Sequence, residues 1–425
     1  MASRVGRYEL TLIGLLFLCT IINYMDRVNI SITAPLMVKD YGWDSKDLGF
    51  VFSSFFWGYF LLQIPMGWLA DKIGARRLII GSTISWAVFT VLTPFVSSLG
   101  MLGGIRAGLG AGEAALFPAQ TSFVARFLPR NMISRIQAFN QSAIALGPLI
   151  ATPFAAWIMT KWGWQNVFYV LAVMTIGWTV LWTLMTKQLR GHVITKAGSG
   201  QEQAIEKKPA AIFEKPFRSV EVWGASVIWF SVCVVFYFFL MWLPTYFIKA
   251  RGLSVQDMAI FSTIPWACLF VAMNVMGYLV DWVKNNVKHN IFWRRMILAV
   301  GLAWTAIFVF LMQGATTVGT AVIYLCIAFV GLATSWPVAW ALPIDYAGPK
   351  AGIVAGFMNS WGQVAGITTP LIIGYLIAGG QWENAFYYAA AAAIVGTLVI
   401  VFTGKYSTGV SEGKEERERL LAPQS

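Results

Sequence analysis

The chain has few charged residues and almost no histidine. Asp, Glu, Lys and Arg make up 12% of its 425 residues, against roughly 25% in a soluble domain. Hydrophobic residues make up 58%. This composition excludes a water-soluble globular protein and indicates an integral membrane protein.

Residues for catalysis or metal binding are also scarce. His192 and His289 fall in hydrophilic segments, so a proton carried across the membrane would need carboxylates. The four cysteines are scattered singly, without metal or redox spacing. There is no Ser/His/Asp set and no phosphate-binding loop. We therefore expect no metal, no cofactor and no enzymatic activity.

Apolar residues occur in blocks of about 20, enough to span ~30 Å of hydrocarbon as a helix. Twelve blocks are predicted. They begin near Glu9, Leu48, Leu78, Leu99, Ser134, Asn166, Val222, Met258, Arg295, Thr317, Gly352 and Asn384. The fold class expected is an all-α membrane protein with twelve transmembrane helices in two six-helix, pseudo-symmetric halves.

The positive charge is distributed unevenly between the loops. The net charge is +12, and 24 of the 31 Lys and Arg residues fall in the even-numbered loops and the two tails. The positive-inside rule therefore predicts that both termini lie in the cytoplasm. The expected location is the inner membrane of the cell. Because the charge reports topology, we expect no nucleic-acid partner. The bilayer is the expected surrounding, and the protein is expected to be a monomer.

The longest hydrophilic interruption divides the blocks six and six. We predict an N-terminal half at 1–186, a cytoplasmic linker at 187–221, a C-terminal half at 222–403 and a cytoplasmic tail at 404–425. The halves share a motif: GWLADKIGARR runs from Gly67 to Arg77, and GYLVDWVK from Gly277 to Lys284, at equivalent places 210 positions apart. Duplicated halves with a substrate site at their interface are typical of secondary transporters.

Four ionisable residues lie inside apolar blocks of the first half: Asp26, Arg27, Arg106 and Glu113. A charge in hydrocarbon costs roughly 2.5–3.5 kcal/mol, so such residues usually have a function. Arg106 and Glu113 are seven residues apart, nearly on one helix face. Asp26 and Arg27 point about 100° apart, so one can face a cavity while the other reaches toward the fourth block. The pattern indicates a polar cavity that holds an anion and carries a proton.

A purely structural Asp–Arg salt bridge is the alternative for the first pair. The second mixed pair in the same half argues against it, since buried ion pairs seldom stabilise a fold over apolar residues. Arg27 is the expected anion ligand, because its planar guanidinium matches a carboxylate or sulfonate. Asp26 and Glu113 are the expected proton carriers. The glycines between Arg106 and Glu113 are expected to allow close helix packing.

The motifs resemble two levels of a known family. GWLADKIGARR is similar to the signature loop of the major facilitator superfamily. Two further motifs resemble the anion:cation symporter family within it, which includes phthalate, hexuronate and galactonate permeases. These motifs are NYMDRVN (23–29) and RAGLGAGEAALFP (106–118). The resemblance implies that Arg27 binds the substrate anion and that Arg106 orders the proton-coupling network. It also implies a gating loop of Gly67, Asp71, Lys72, Gly74, Arg76 and Arg77, with Asp281 in the second copy; simple positive-inside anchoring is the alternative for these residues.

The second half has no ionisable residue deep in a block, which favours a single anchoring cation and a small anion. It offers neutral hydrogen-bonding groups, of which Tyr237, Asn359, Ser360 and Gln363 are candidate substrate ligands. Asn359 and Gln363 share one helix face, where they either bind substrate hydroxyls or join helices. The expected function is proton-coupled symport of a small organic anion. An anion exchanger, a sodium-coupled transporter and a non-transporting membrane sensor or enzyme are the alternatives.

Overall fold

The computed structural model describes residues 6–128, 133–187, 219–343 and 351–421, and all regular structure in these ranges is helical. The first part of the chain forms α1 (Arg7–Tyr41), α2 (Ser45–Ile73), α3 (Ala75–Leu92), α4 (Leu99–Glu113), α5 (Leu116–Phe127), α6 (Ile133–Trp162) and α7 (Gln165–Met185). A short 3₁₀ turn, Thr93–Phe95, follows α3.

The later part forms α8 (Val220–Thr245), α9 (Val255–Asn286), α10 (Asn290–Leu311), α11 (Val318–Ala333), α12 (Ser335–Ala339), α13 (Ala351–Leu376) and α14 (Trp382–Leu421). A π-helical turn, Tyr246–Ala250, extends α8, and a 3₁₀ turn, Met312–Gly314, extends α10. The predicted linker lies, apart from its ends, outside the described residues. The predicted domain boundaries stay predictions.

Within the described ranges, ten helices are long and apolar enough to cross a membrane. The fourth and eleventh predicted blocks coincide with α4–α5 and with α13. The chain is therefore an all-helical, multi-pass membrane protein, as predicted.

The fourth and tenth blocks are each broken, and each break lies four residues before a proline. A proline ring clashes with the carbonyl four residues earlier, which disfavours a regular helix there, although other prolines, such as Pro35 and Pro65, lie inside continuous helices. Pro118 disfavours helix at Ala114, directly after the end of α4, and Pro337 disfavours it at Ala333, the last residue of α11. Because these blocks occupy equivalent places in the two predicted halves, the internal repeat extends to the shape of this helix.

The described residues form two compact units, each assembled from segments that are distant in sequence. The first comprises 6–128, 133–187, 237–270 and 366–382; the second comprises 219–236, 271–343, 351–365 and 383–421. The four ionisable residues of the first half and Tyr237 all belong to the first unit.

The middle of α1 is buried on every side. Every residue from 19 to 34 is buried, including several polar ones. Residues 231–247, in α8 and the turn that follows it, are likewise all buried, whereas helices such as α3 and α7 alternate buried and exposed positions. A helix that is apolar all round packs inside a bundle rather than at its edge. The polar residues of α1 therefore face other helices and not lipid.

Two glycines allow α2 and α4 to approach within backbone contact. A Cβ atom at Gly58 would lie 1.8 Å from the carbonyl oxygen of Ala107, and one at Gly110 would lie 1.9 Å from that of Phe55. No larger residue fits at these positions unless the helices separate. The predicted packing role is confirmed for Gly110, and this contact holds the charged face of α4 against α2.

Candidate functional site

A buried salt bridge joins α1 to α4 in the first unit. Arg27 Nη2 donates to Glu113 Oε2 at 2.7 Å, and Arg27 Nε donates to the same oxygen at 3.2 Å. The exposed fraction is 2% for Arg27 and 0% for Glu113. Arg27 also donates to Asn23 Oδ1 through a long contact of 3.5 Å. The guanidinium thus directs its forked edge toward α4, which is one of the directions the sequence allowed.

Asp26 points away from Arg27, toward α3. Its Oδ2 accepts a hydrogen bond from the Thr90 hydroxyl at 2.5 Å, and its Oδ1 accepts one from Asn29 Nδ2 at 2.9 Å. Asp26 is fully buried. The two neighbours on α1 therefore belong to different contacts, as their angular separation predicts, and Asp26 is satisfied by neutral donors.

Arg106 is the unusual member of the group. It is 0% exposed, and none of its three guanidinium nitrogens has a hydrogen-bond partner among the described residues. Its Cζ lies 5.1 Å from the centre of the Phe55 ring. A cation over an aromatic face gains roughly 0.5–2 kcal/mol, less than the penalty for burying a charge without hydrogen bonds. Arg106 is thus a buried positive charge that the contacts of the described residues only partly compensate.

Aromatic rings surround the Arg27 guanidinium. Its Cζ lies 4.7 Å from the ring of Tyr24, 4.9 Å from Phe55 and 5.1 Å from Tyr59. The face of Phe55 therefore contacts both arginines. The Arg27 guanidinium is thus paired with an acid on one side and contacts aromatic ring faces on the others, which attract a cation.

Tyr237 reaches this wall from α8. Its ring centre lies 4.5 Å from that of Phe56, the neighbour of Phe55 on α2. Tyr237 is thereby brought into the same unit and the same aromatic layer as the charged residues.

The other candidate ligands, Asn359, Ser360 and Gln363, lie on α13 in the second unit. Ser360 donates to the carbonyl of Gly356 in its own helix at 3.0 Å. Gln363 is buried, and its Oε1 has no hydrogen-bond partner among the described residues. Asn359 is half-buried. Their role in substrate binding stays a prediction.

The predicted gating loop lies between α2 and α3, which meet at Gly74 with a φ of +90°. Arg76 Nε donates to Thr186 Oγ1 at 2.8 Å, and its Nη2 donates to the Thr183 carbonyl at 3.1 Å. Arg76 thus joins the start of α3 to the end of α7.

Three further gating-loop residues, Lys72, Arg77 and Asp281, are exposed. The Lys72 ammonium lies 4.6 Å from the ring of Trp68 on the preceding turn. Gly67 is half-buried. The side chain of Asp71 lies outside the described part of the structure. The gating role of this loop stays a prediction.

The second unit repeats the arginine contact made by Arg76. Arg295, at the start of α10, donates to Thr403 Oγ1 at 2.8 Å and to the Ile400 carbonyl at 3.3 Å. In both units the arginine thus bonds a threonine and the carbonyl three residues before it: Thr186 directly follows α7, whereas Thr403 lies within α14. The internal repeat therefore includes specific side-chain contacts, although the second copy of the motif is degenerate in sequence.

Several contributors to the site were not predicted from the sequence. Asn23 and Asn29 are polar residues at helical spacing from the charged pair on α1, so the spacing alone was a usable signal. Thr90, Tyr59 and Phe55 come from other helices and have no such signal. They are identified only by packing.

Comparisons with known proteins agree with this architecture. The sequence profile of the Major Facilitator Superfamily matches residues 16–370. A probable sulfoacetate transporter of Cupriavidus necator is 33% identical over 92% of this chain and 93% of its own length. A probable galactarate/D-glucarate transporter of Bacillus subtilis is 29% identical over 91% of this chain and 90% of its own length.

A D-galactonate transporter of Escherichia coli is 27% identical over 93% of this chain and 96% of its own length. Among solved structures, a bacterial homologue of the human lysosomal transporter Spinster matches with a TM-score of 0.72 and 16% identity, covering 95% of this chain and 96% of that one. At that identity the match supports the fold alone. The chain belongs to the major facilitator superfamily and to its anion:cation symporter branch, and it is a transporter rather than an enzyme.

Proposed function

We propose that the protein takes up a small organic anion together with a proton. The observation that carries this proposal is the buried Arg27–Glu113 salt bridge. Arg27 is the group best suited to bind a carboxylate or sulfonate, yet its donors are directed at an acidic side chain of the protein itself. A substrate anion must therefore compete with Glu113 for the same guanidinium.

Protonation of Glu113 resolves this competition. A neutral carboxyl group no longer needs the cation, so Arg27 becomes available to the substrate. A charged Glu113 displaced from Arg27 would instead be a buried, unpaired anion, which is strongly unfavourable. Anion binding at Arg27 and proton binding at Glu113 therefore favour each other, which is the thermodynamic requirement for symport.

The charge balance of the four buried residues supports the same coupling. When all are ionised, Arg27 and Arg106 balance Asp26 and Glu113. One bound proton leaves a net charge of +1, which a monoanion such as D-galactonate neutralises, and a second proton leaves +2, which a dianion such as sulfoacetate or D-glucarate neutralises. Arg106 has no hydrogen-bond partner among the described residues. Its positive charge makes it unfavourable for the site to bind a proton unless the substrate anion binds as well. Asp26 is the second proton carrier in this scheme.

The substrate class is a sugar acid, another small carboxylate or a sulfonate. The relatives named above support this range, because they are a probable sulfoacetate transporter, a probable galactarate/D-glucarate transporter and a D-galactonate transporter. The aromatic wall with Tyr237 provides a hydroxyl and ring faces. Asn359, Ser360 and Gln363 would bind the uncharged part of the substrate.

We also propose the membrane arrangement. The bias of Lys and Arg toward the even-numbered loops and tails supports an inner-membrane location with both termini in the cytoplasm. The gating loop at Asp71, Lys72, Arg76 and Arg77 would then lie on the cytoplasmic side. The working unit is a monomer of two six-helix halves joined by the linker at 187–221.

Proteoliposomes with an imposed pH gradient test the function. Labelled sulfoacetate, D-glucarate and D-galactonate are offered separately, and at least one is expected to accumulate against its gradient. Collapse of the pH gradient with a protonophore should abolish accumulation. An equal sodium gradient at constant pH serves as the control. Accumulation driven by sodium alone would instead indicate a sodium-coupled transporter. Uptake only against a preloaded anion would indicate an anion exchanger.

A further inference from the structure

A line of polar side chains extends from the salt bridge along one face of α1. Asn23 and Thr20 precede Arg27 by four and seven residues, a spacing that places the three side chains on one side of the helix over about 10 Å. All three are buried. The line runs toward the end of α1 that begins at Arg7. Transport of the substrate anion does not require Thr20 in the scheme above.

Two amides from other helices of the same unit continue this line. Gln120 of α5 donates through Nε2 to Thr20 Oγ1 at 3.3 Å and to the Leu16 carbonyl at 3.4 Å. Asn140 of α6 donates through Nδ2 to Gln120 Oε1 at 3.0 Å. The Thr20 hydroxyl itself lies 3.1 Å from the Leu16 carbonyl. The exposed fraction is 1% for Gln120 and 4% for Asn140.

The network is incomplete as a structural element. Asn140 Oδ1 is buried and has no hydrogen-bond partner among the described residues. A buried acceptor without a donor is unfavourable, and internal water commonly supplies the missing bond. Three helices thus contribute uncharged hydrogen-bonding groups to one buried region. This region lies between the salt bridge and the start of α1, and Asn140 Oδ1 is an acceptor there that a water molecule could occupy.

We propose that Asn23, Thr20, Gln120 and Asn140 line a hydrated path for the coupling proton between Glu113 and the cytoplasmic end of α1. This inference rests on the proposed function. The proton leaves the Glu113 carboxyl for a water molecule, and each following water or hydroxyl accepts one proton and releases another. The amides remain neutral and orient the waters. An acidic or basic residue here would retain the proton, whereas uncharged groups let it pass.

The arrangement allows a different occupant, a hydroxyl of the substrate. A substrate-binding role would change the affinity for the anion in every mode of transport. A proton path changes only the modes that need net proton release. Exchange of labelled for unlabelled anion returns the carrier loaded and needs no such release. The two roles therefore predict different outcomes for the same variants.

The experiment uses proteoliposomes that contain pyranine, a pH-sensitive dye. Proton influx is measured on addition of sulfoacetate, D-glucarate or D-galactonate, and counterflow is measured with the same labelled acid. The variants are Thr20→Val, Gln120→Met and Asn140→Leu, which keep approximate shape and remove polarity. Thr179→Val is the matched control, because this buried hydroxyl bonds the Thr175 carbonyl and another threonine within the same unit, at 2.8 Å each.

The three path variants should lose acid-induced proton influx by about tenfold or more, with counterflow within about twofold of wild type. Thr179→Val should leave both measurements unchanged. Thr20→Ser keeps the hydroxyl and should restore the influx that Thr20→Val loses, which separates a lost hydroxyl from a damaged fold.

Other results overturn the inference in distinguishable ways. A raised KM for counterflow with an unchanged proton-to-anion ratio would assign the three mutated residues to the substrate. Normal proton influx in all three variants would leave symport standing and eliminate the path. Equal loss in Thr20→Val and Thr20→Ser would make the network structural. A wild-type protein that moves no proton with any of the three acids would eliminate both the proposed function and the path.

Discussion

Replacing Arg27 by lysine keeps a positive charge in the site and removes its forked geometry. In the structure, two guanidinium nitrogens donate to one oxygen of Glu113, at 2.7 and 3.2 Å. A lysine ammonium is a compact point charge that cannot present two parallel donors to a planar acid. If a substrate anion uses the same two donors, Arg27→Lys removes at least one charge-assisted hydrogen bond from the complex.

The size of the effect follows from that loss. A hydrogen bond to a charged group contributes roughly 1.5–3 kcal/mol, so the affinity for the anion should fall by roughly 10- to 150-fold. The loss of ring contacts with Tyr24, Phe55 and Tyr59 acts in the same direction. The purified variant should still fold, because the charge that balances Glu113 is retained.

The assay is isothermal titration calorimetry of the purified protein with the acid that the wild type accumulates. Arg295→Lys is the matched control, because Arg295 is also buried and donates to the Ile400 carbonyl and to Thr403, but it lies in the second unit. This control should bind the acid like wild type even if its melting temperature falls. Unchanged affinity in Arg27→Lys would remove Arg27 from the substrate site. The substrate anion would then not compete with Glu113 for this guanidinium.

Neutralising a proton carrier, in Asp26→Asn or Glu113→Gln, should abolish pH-driven accumulation while at least one of the two keeps counterflow; full accumulation by both would exclude carboxylate coupling here. Gly58→Ala should destabilise the protein by roughly 1–3 kcal/mol, measured as a lower melting temperature, since its Cβ would lie 1.8 Å from a carbonyl oxygen of α4. Gly104→Ala, which has open space around it, is the control and should be neutral. A reporter fused to the C-terminus should be cytoplasmic and one inserted after Gly380 periplasmic; the reverse pattern would overturn the predicted topology.

The sequence was sufficient for much of the fold because a bilayer imposes simple rules. A helix must be about 20 apolar residues long to cross it, so the apolar blocks match the observed helices closely. The repeated motif at Gly67 and Gly277 indicated two related halves. The breaks before Pro118 and Pro337 lie where a proline ring clashes with the backbone, but Pro35 and Pro65 lie inside continuous helices, so a proline alone does not predict a break.

The same rules identified the charged residues of the site, because a charge in hydrocarbon is too unfavourable to be retained without a use. Helix geometry further predicted that Asp26 and Arg27 point in different directions. Neither rule names a partner across helices. Whether Arg27 pairs with Glu113 depends on the depth and rotation of α4 relative to α1, and those are properties of packing.

The sequence by itself determined the class of protein, the spanning segments and the residues that carry charge into the membrane. Only the tertiary structure decided that Arg27 faces Glu113, that Asp26 bonds Thr90, and that Arg106 lies against Phe55 with no hydrogen-bond partner among the described residues. The physical reason is the range of the interactions. Burial and helix periodicity act along a segment and are encoded within it. A hydrogen bond about 3 Å long between helices depends on close backbone contacts, such as that of Gly110 with α2, which no single segment specifies.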